Sequence, residues 1–152
     1  VPSTGQVLQY KSGTSTTYSS HSSTSLTASN LKIDIAPKSA SSYFVFQVNF
    51  NLWWTISWAA ENYTKVTLYK DGTTNIFAGL GYNMGAMIGN FDERSNYDRM
   101  WSFSGTYTHG GSVGVSQEYK MWVGMYTSSN TDVTRVNGST GNNIIHAWEI
   151  AP

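Results

Sequence analysis

Residues 43–54 read YFVFQVNFNLWW, and no other stretch restricts the folding of this chain as strongly. Phe44, Phe46, Val48, Phe50 and Leu52 share one parity; Tyr43, Val45, Gln47, Asn49 and Asn51 share the other. Side chains alternate across a strand, so the first set makes an unbroken apolar face and the second a mostly polar one. A helix would scatter both sets around its circumference. Aromatic and β-branched residues also favour strands. The pattern predicts a long central strand with other strands packed across its Phe face. The opposite face carries large uncharged groups rather than the charges of ordinary solvated surface.

Alternation recurs on both sides of this stretch. Residues 5–11 are short and alternating. Residues 14–27 form a Ser/Thr tract that reads as two weak strands, or as one strand and a loop. In residues 31–36, Leu31, Ile33 and Ile35 share a face, and Pro37 ends the run because proline cannot donate to a ladder. Residues 63–70 place Val66 and Leu68 inward. Asp71-Gly72 is a hairpin signal, with residues 75–80 as the expected return strand. Residues 79–98 are the one long irregular segment. Residues 99–108 set Met100, Ser102 and Ser104 opposite Trp101, Phe103 and Gly105. His109-Gly110-Gly111 is a turn, and residues 116–126 put Tyr119, Met121, Val123 and Met125 on one face. Residues 132–136 are a short strand, and residues 143–150 close the chain. Helical spacing is almost absent. About eight to ten strands at this spacing predict an all-β, antiparallel, jelly-roll-like β-sandwich, with residues 1–152 as one domain.

Composition narrows what such a sandwich can do. Nine basic and nine acidic residues cancel, so no long-range field favours nucleic acid or an anionic membrane. Charged residues make up 12% of the chain against the usual quarter, and aromatics 14%. Such a surface suits copies of itself or uncharged ligands. There is no cysteine, hence no disulfide framework and no thiolate metal site. No apolar run is long enough for membrane insertion as a helix. The chain starts at Val1 without a signal-peptide pattern, which reads as a fragment of something longer.

Three segments carry a family resemblance. The first runs from Ser25-Leu26-Thr27 through Leu31-Lys32-Ile33-Asp34-Ile35-Ala36-Pro37 to Ser39-Ala40-Ser41-Ser42. The second is Val66-Thr67-Leu68-Tyr69-Lys70-Asp71-Gly72-Thr73, and the third is residues 143–150, NIIHAWEI. In this order they resemble the C-terminal β-sandwich domains of tail fibres and related receptor-binding virion proteins in tailed bacteriophages. The resemblance implies a virion location on a tail fibre, an upstream fibre shaft, a homotrimer, and attachment to a host cell-surface glycan or other receptor. It carries no catalytic motif, no cofactor and no enzyme activity. Trp53-Trp54, Trp58 and the 79–98 segment match no pattern of that family.

No G-x-S-x-G elbow surrounds a serine. A Ser-His-Asp triad is a matter of geometry, which His21, His109 and His146 leave open. Asp92, Glu93 and Asp98 carry oxygen ligands suited to Ca²⁺, but their spacing is not that of an EF-hand loop. Arg94 and Arg99 lie among them, so salt bridging is the expectation and no metal is assigned. Aromatic rings beside amide and charged groups suit sugars, whose sites combine apolar walls with a few placed polar groups. The expected ligand-binding set is Trp58, Tyr82, Asn83, Asp92, Arg94 and Tyr97. Trp122 and Trp148 lie within good strands and read as structural, and His146 as a packed or interface residue. Two other readings stand beside receptor binding: a purely structural or trimerising virion domain, and a carbohydrate-binding module of a cellular enzyme.

Overall fold

The computed structural model describes residues 3–55, 64–77, 86–88, 97–110, 112–125, 133–136 and 143–152. Of residues 54, 55, 86–88, 97–99 and 133–135 it describes the backbone alone. The strands are β1 (Val7–Ser15), β2 (Ser19–His21), β3 (Thr27–Ile35), β4 (Tyr43–Thr55), β5 (Thr64–Lys70) and β6 (Thr74–Asn75). They continue with β7 (Ala86–Ile88), β8 (Tyr97–Thr108), β9 (Gln117–Met125), β10 (Val133–Val136) and β11 (Asn143–Ile150). Among the described residues there is no helix.

Every pairing is antiparallel, and the strands fall into two sheets. In the first, β4 pairs with β8 along one edge. Along its other edge it pairs with β11 over its first half and β10 over its last residues. β1 continues outward from β11 and β2 from β10. Two strand positions are thus each filled by two consecutive segments. The second sheet runs β3–β9–β5, with β6 and β7 sharing the far side of β5. Each sheet is four positions wide, and the chain alternates between them in the order of a jelly roll, an eight-position sandwich of two Greek keys.

The core follows the alternation that the sequence shows. Phe44, Phe46, Val48, Phe50 and Leu52 of β4 are wholly buried. Facing them in the same cluster are Leu31, Ile33 and Ile35 of β3, Val66 and Leu68 of β5, and Tyr119, Met121 and Val123 of β9. The aromatic members meet at angles, Phe46 and Tyr119 at 4.8 Å and 45°, Phe44 and Tyr119 at 5.7 Å and 70°. Tilted and edge-on contacts suit ring quadrupoles better than a face-to-face sandwich.

Three local features depart from the sequence reading. The return strand after Asp71-Gly72 stops at Asn75 instead of reaching residue 80. The Asn75 amide oxygen accepts the backbone N–H of Phe77 at 3.1 Å and the Thr67 hydroxyl at 2.6 Å. Ile76 still donates its backbone N–H to the Leu68 carbonyl at 3.0 Å, the Asn75 side chain takes over from the ladder at Phe77, and Phe77 enters the core against Phe103. The turn itself has φ of 48° at Asp71 and 68° at Gly72, the pair of positive values that a primed hairpin turn uses. Second, a three-residue strand, Ala86–Ile88, lies within the segment read as irregular. Third, β1 extends to Ser15 across the edge of β3. A Cβ on Gly13 would stand 2.1 Å from the Lys32 carbonyl oxygen, so only glycine admits this approach.

Candidate functional site

Thr55 at the end of β4 pairs with Val133, and Trp54 pairs with Tyr97. Thr64 at the start of β5 pairs with both Met125 and Ile88. The strand ends that flank 56–63, 89–96 and 126–132 therefore lie at one end of the sandwich. Of the ligand-binding set, Trp58, Tyr82, Asn83, Asp92 and Arg94 lie outside the described residues. Tyr97 begins β8 at that same end, with its backbone alone described. Residues 109 and 110 do not share it: they follow Thr108, which pairs with Tyr43 at the opposite end of β4. At the usual strand rise the two ends stand roughly 40 Å apart.

The opposite end holds a buried polar cluster that the sequence reading did not single out. Glu149 has core parity and is wholly buried. Its carboxylate accepts the backbone N–H groups of Lys38 and Ser39 at 2.8 and 3.0 Å, the Ser42 hydroxyl and the Gln9 amide. Burial works to raise the carboxyl's pKa, but the bonds from Ser42, Gln9, Lys38 and Ser39 together outweigh it, and the net shift is downward. His109, also buried, lies 2.9 Å from the Ser42 hydroxyl through Nε2. This Ser-His-acid trio is ordered wrongly for nucleophilic catalysis. The hydroxyl stands between acid and imidazole, whereas a triad needs the imidazole between hydroxyl and acid. Ser42 is also wholly buried. The cluster anchors the end of the sandwich. Its signal in the sequence was an acid at the parity of Ile145 and Ala147.

The outer faces of the two sheets differ in charge. The β3–β9–β5 face carries Lys32, Asp34, Glu118 and Lys120 in an exposed network with contacts of 2.9 to 3.5 Å. Lys32 is shifted upward, first by its hydrogen bond to Glu118, and Glu118 downward, first by the same bond. The outer face of the other sheet, across β1, β11, β4 and β8, is uncharged from Tyr10 and Thr108 to Thr14 and Ser102. Its rows read Tyr10–Trp148–Val45–Thr106, Ser12–His146–Gln47–Ser104 and Thr14–Ile144–Asn49–Ser102. Gln47 and the β8 hydroxyls are exposed. Asn51, expected on this polar face, is instead buried beside Asn143, whose amide oxygen accepts the Asn51 backbone N–H at 2.6 Å. Among the described residues no cluster of His, Asp or Glu has the geometry to hold a metal ion.

Fold and faces together define a jelly-roll β-sandwich with one sheet face that is uncharged from Tyr10 and Thr108 to Thr14 and Ser102, and with several strand ends gathered at one end. No protein-family model matches the chain, and no curated protein matches it. Among solved structures it is similar to one titled "Structure of infectious bursal disease virus Gt strain", at 14% identity and a TM-score of 0.27. That alignment covers 96% of this chain and 41% of the viral one. At such a score the likeness carries no argument.

Proposed function

We propose that this domain is a non-enzymatic attachment module at the distal end of a tailed-phage fibre, a homotrimer that binds a host cell-surface glycan. The observation that supports it is the contrast between the two outer faces. A sheet surface of hydroxyl, amide and aromatic groups, without charge from the Tyr10 row to the Thr14 row, suits burial against another copy, since interface cores are depleted of charged residues. The β4 and β8 columns, from Tyr43 to Asn49 and from Ser102 to Thr108, would pack near the threefold axis. Closed symmetry also avoids open-ended polymerisation. Residues 56–63, 78–85 and 89–96 would then meet the host surface, with Trp58, Tyr82, Asn83, Asp92, Arg94 and Tyr97 as the contacts. Recognition usually sits on loops held by a rigid scaffold. The same face also favours a second reading, a trimerising virion domain that binds no ligand.

The assembly half is tested by adding charge. One chain is 16.8 kDa, so a trimer sediments near three times that mass. Gln47→Lys, at the centre of the charge-free face, should dissociate it, while Ala28→Lys on the other outer face should not. A parent protein sedimenting as one chain across micromolar concentrations, or a Gln47→Lys variant that stays trimeric, would overturn this arrangement.

A further inference from the structure

An open cleft of about 580 Å³ lies outside the Glu149 cluster, between β1 and the turn that follows β3. That volume is in the range of small-molecule sites. Ile35, Pro37 and Val113 give it apolar walls, and Val113 is 52% exposed. Among the described residues that line it, the charges are the amines of Lys11 and Lys38, both on exposed side chains. Neither amine has an ion-pair partner among the described residues. Asp34 and Glu118 pair with Lys32, and Glu118 also with Lys120. Glu149 has its oxygens filled by Lys38 N–H, Ser39 N–H, Ser42 and Gln9.

Gln9 supplies a third polar group. Its amide nitrogen donates to the Ala36 carbonyl at 2.7 Å and to the Glu149 carboxylate. A carbonyl and an ionised carboxylate only accept, so these bonds fix which end of the amide is nitrogen. Gln9 Oε1 is left as an acceptor without a partner among the described residues. A lysine on an edge strand also blocks pairing with another sheet. That accounts for Lys11 alone, and not for its meeting Lys38 and Gln9 on one cleft.

Four ligand chemistries compete for this lining. A nucleobase needs a ring to stack on, and no aromatic side chain lines the cleft among the described residues. A phosphate favours Arg forks or clustered backbone N–H groups. Here the N–H groups of Lys38 and Ser39 are bonded to Glu149, and that of Gly114 to the Pro37 carbonyl. An extended peptide joins by main-chain bonds, but the Ala36 and Pro37 carbonyls are already taken, by Gln9 and Gly114. A hexuronate brings one carboxylate, several hydroxyls and a C–H face. The carboxylate matches two amines that exceed the one buried carboxylate by a single charge. A hydroxyl can donate to Gln9 Oε1, and the C–H face can meet Pro37 and Val113. We propose that this cleft binds a hexuronate residue of an acidic polysaccharide. The site rests on the glycan-binding reading, but it lies at the end opposite the strand ends that flank 56–63 and 89–96.

Backbone amide NMR tests it with trigalacturonate, neutral maltotriose and triglutamate as probes. Trigalacturonate should shift the Lys38 and Gly114 amides saturably, and maltotriose at the same concentration should not. Lys11→Gln combined with Lys38→Gln should raise the dissociation constant at least about tenfold, the sum expected for two partly exposed charge pairs, at unchanged melting temperature. Lys65→Gln, near the opposite end of the sandwich, removes the same charge and should leave binding unchanged. Lys11→Gln alone gives an independent reading if the double variant folds poorly. No saturable shift with trigalacturonate, equal shifts with maltotriose, or parental affinity in the lysine variants overturns the site. Triglutamate binding as tightly as trigalacturonate overturns the sugar assignment in favour of a peptide carboxylate. Retention of the parent on a bacterial polysaccharide without any trigalacturonate shift overturns the cleft alone, whereas failure of both removes the glycan-binding reading with it.

Discussion

Lys38 donates its backbone N–H to the Glu149 carboxylate at 2.8 Å, so the last strand is fastened to the turn that launches the central one. A buried carboxylate is costly unless its lone pairs are satisfied. Here two backbone amides, a hydroxyl and an amide side chain satisfy them. Glu149→Gln keeps the shape but turns an N–H group toward donors, and should cost about 1–3 kcal/mol, the range for an unsatisfied buried group. Urea denaturation checks this. A midpoint equal to the parent's would show that the carboxylate does not anchor the turn.

The same cluster sets an acid limit. The folded-state pKa of Glu149 is lowered from its ordinary 4.5. Its contribution is therefore complete above that value and is lost as pH falls through the lower folded pKa. Melting temperatures measured below pH 4.5 should decline less steeply for Glu149→Gln than for the parent. Equal slopes would contradict the assignment.

His21 adds an earlier leg to that decline. Burial lowers its pKa below 6.5, and Ser19 and Thr27 hold its two nitrogens at 3.0 and 2.7 Å. The unfolded chain binds the proton more readily, so stability is full above pH 6.5 and falls as pH drops toward the folded pKa. His21→Gln should flatten the melting profile just below pH 6.5 and leave the Glu149 leg unchanged. A parent profile already flat there would refute it.

Two packing variants probe the fold. Phe46 is wholly buried, and Phe46→Ala should cost about 3–5 kcal/mol. Gly13→Ala drives a methyl into the Lys32 carbonyl and should cost about 1–3 kcal/mol. Gly110→Ala, with open space around its Cβ, is the control. Unfolding midpoints that fail to separate Gly13→Ala from the control would show that β1 does not cross β3 as described.

The central strand was legible because its two faces differ so sharply in polarity, and every inward residue from Phe44 to Leu52 is buried. Other relationships were not legible because they depend on which strands become neighbours. Tyr10 and His146 are 136 positions apart, and local alternation says only that each faces one side of its own strand. Nothing within residues 14–27 shows that β1 and β2 fill one strand position, since their partners β11 and β10 come from the far end of the chain. Asn75 reads as a turn residue, but its capture of Thr67 and Phe77 needs the hairpin to be closed first.

Recognition of a host cell-surface glycan is the central proposal, and an array of immobilised bacterial surface polysaccharides tests it most directly. The account predicts that the parent protein is retained on at least one polysaccharide. It further predicts that Tyr82→Ala combined with Tyr97→Ala loses at least about tenfold of that signal at unchanged melting temperature and mass. Retention on no polysaccharide would contradict the account and leave the purely structural reading standing.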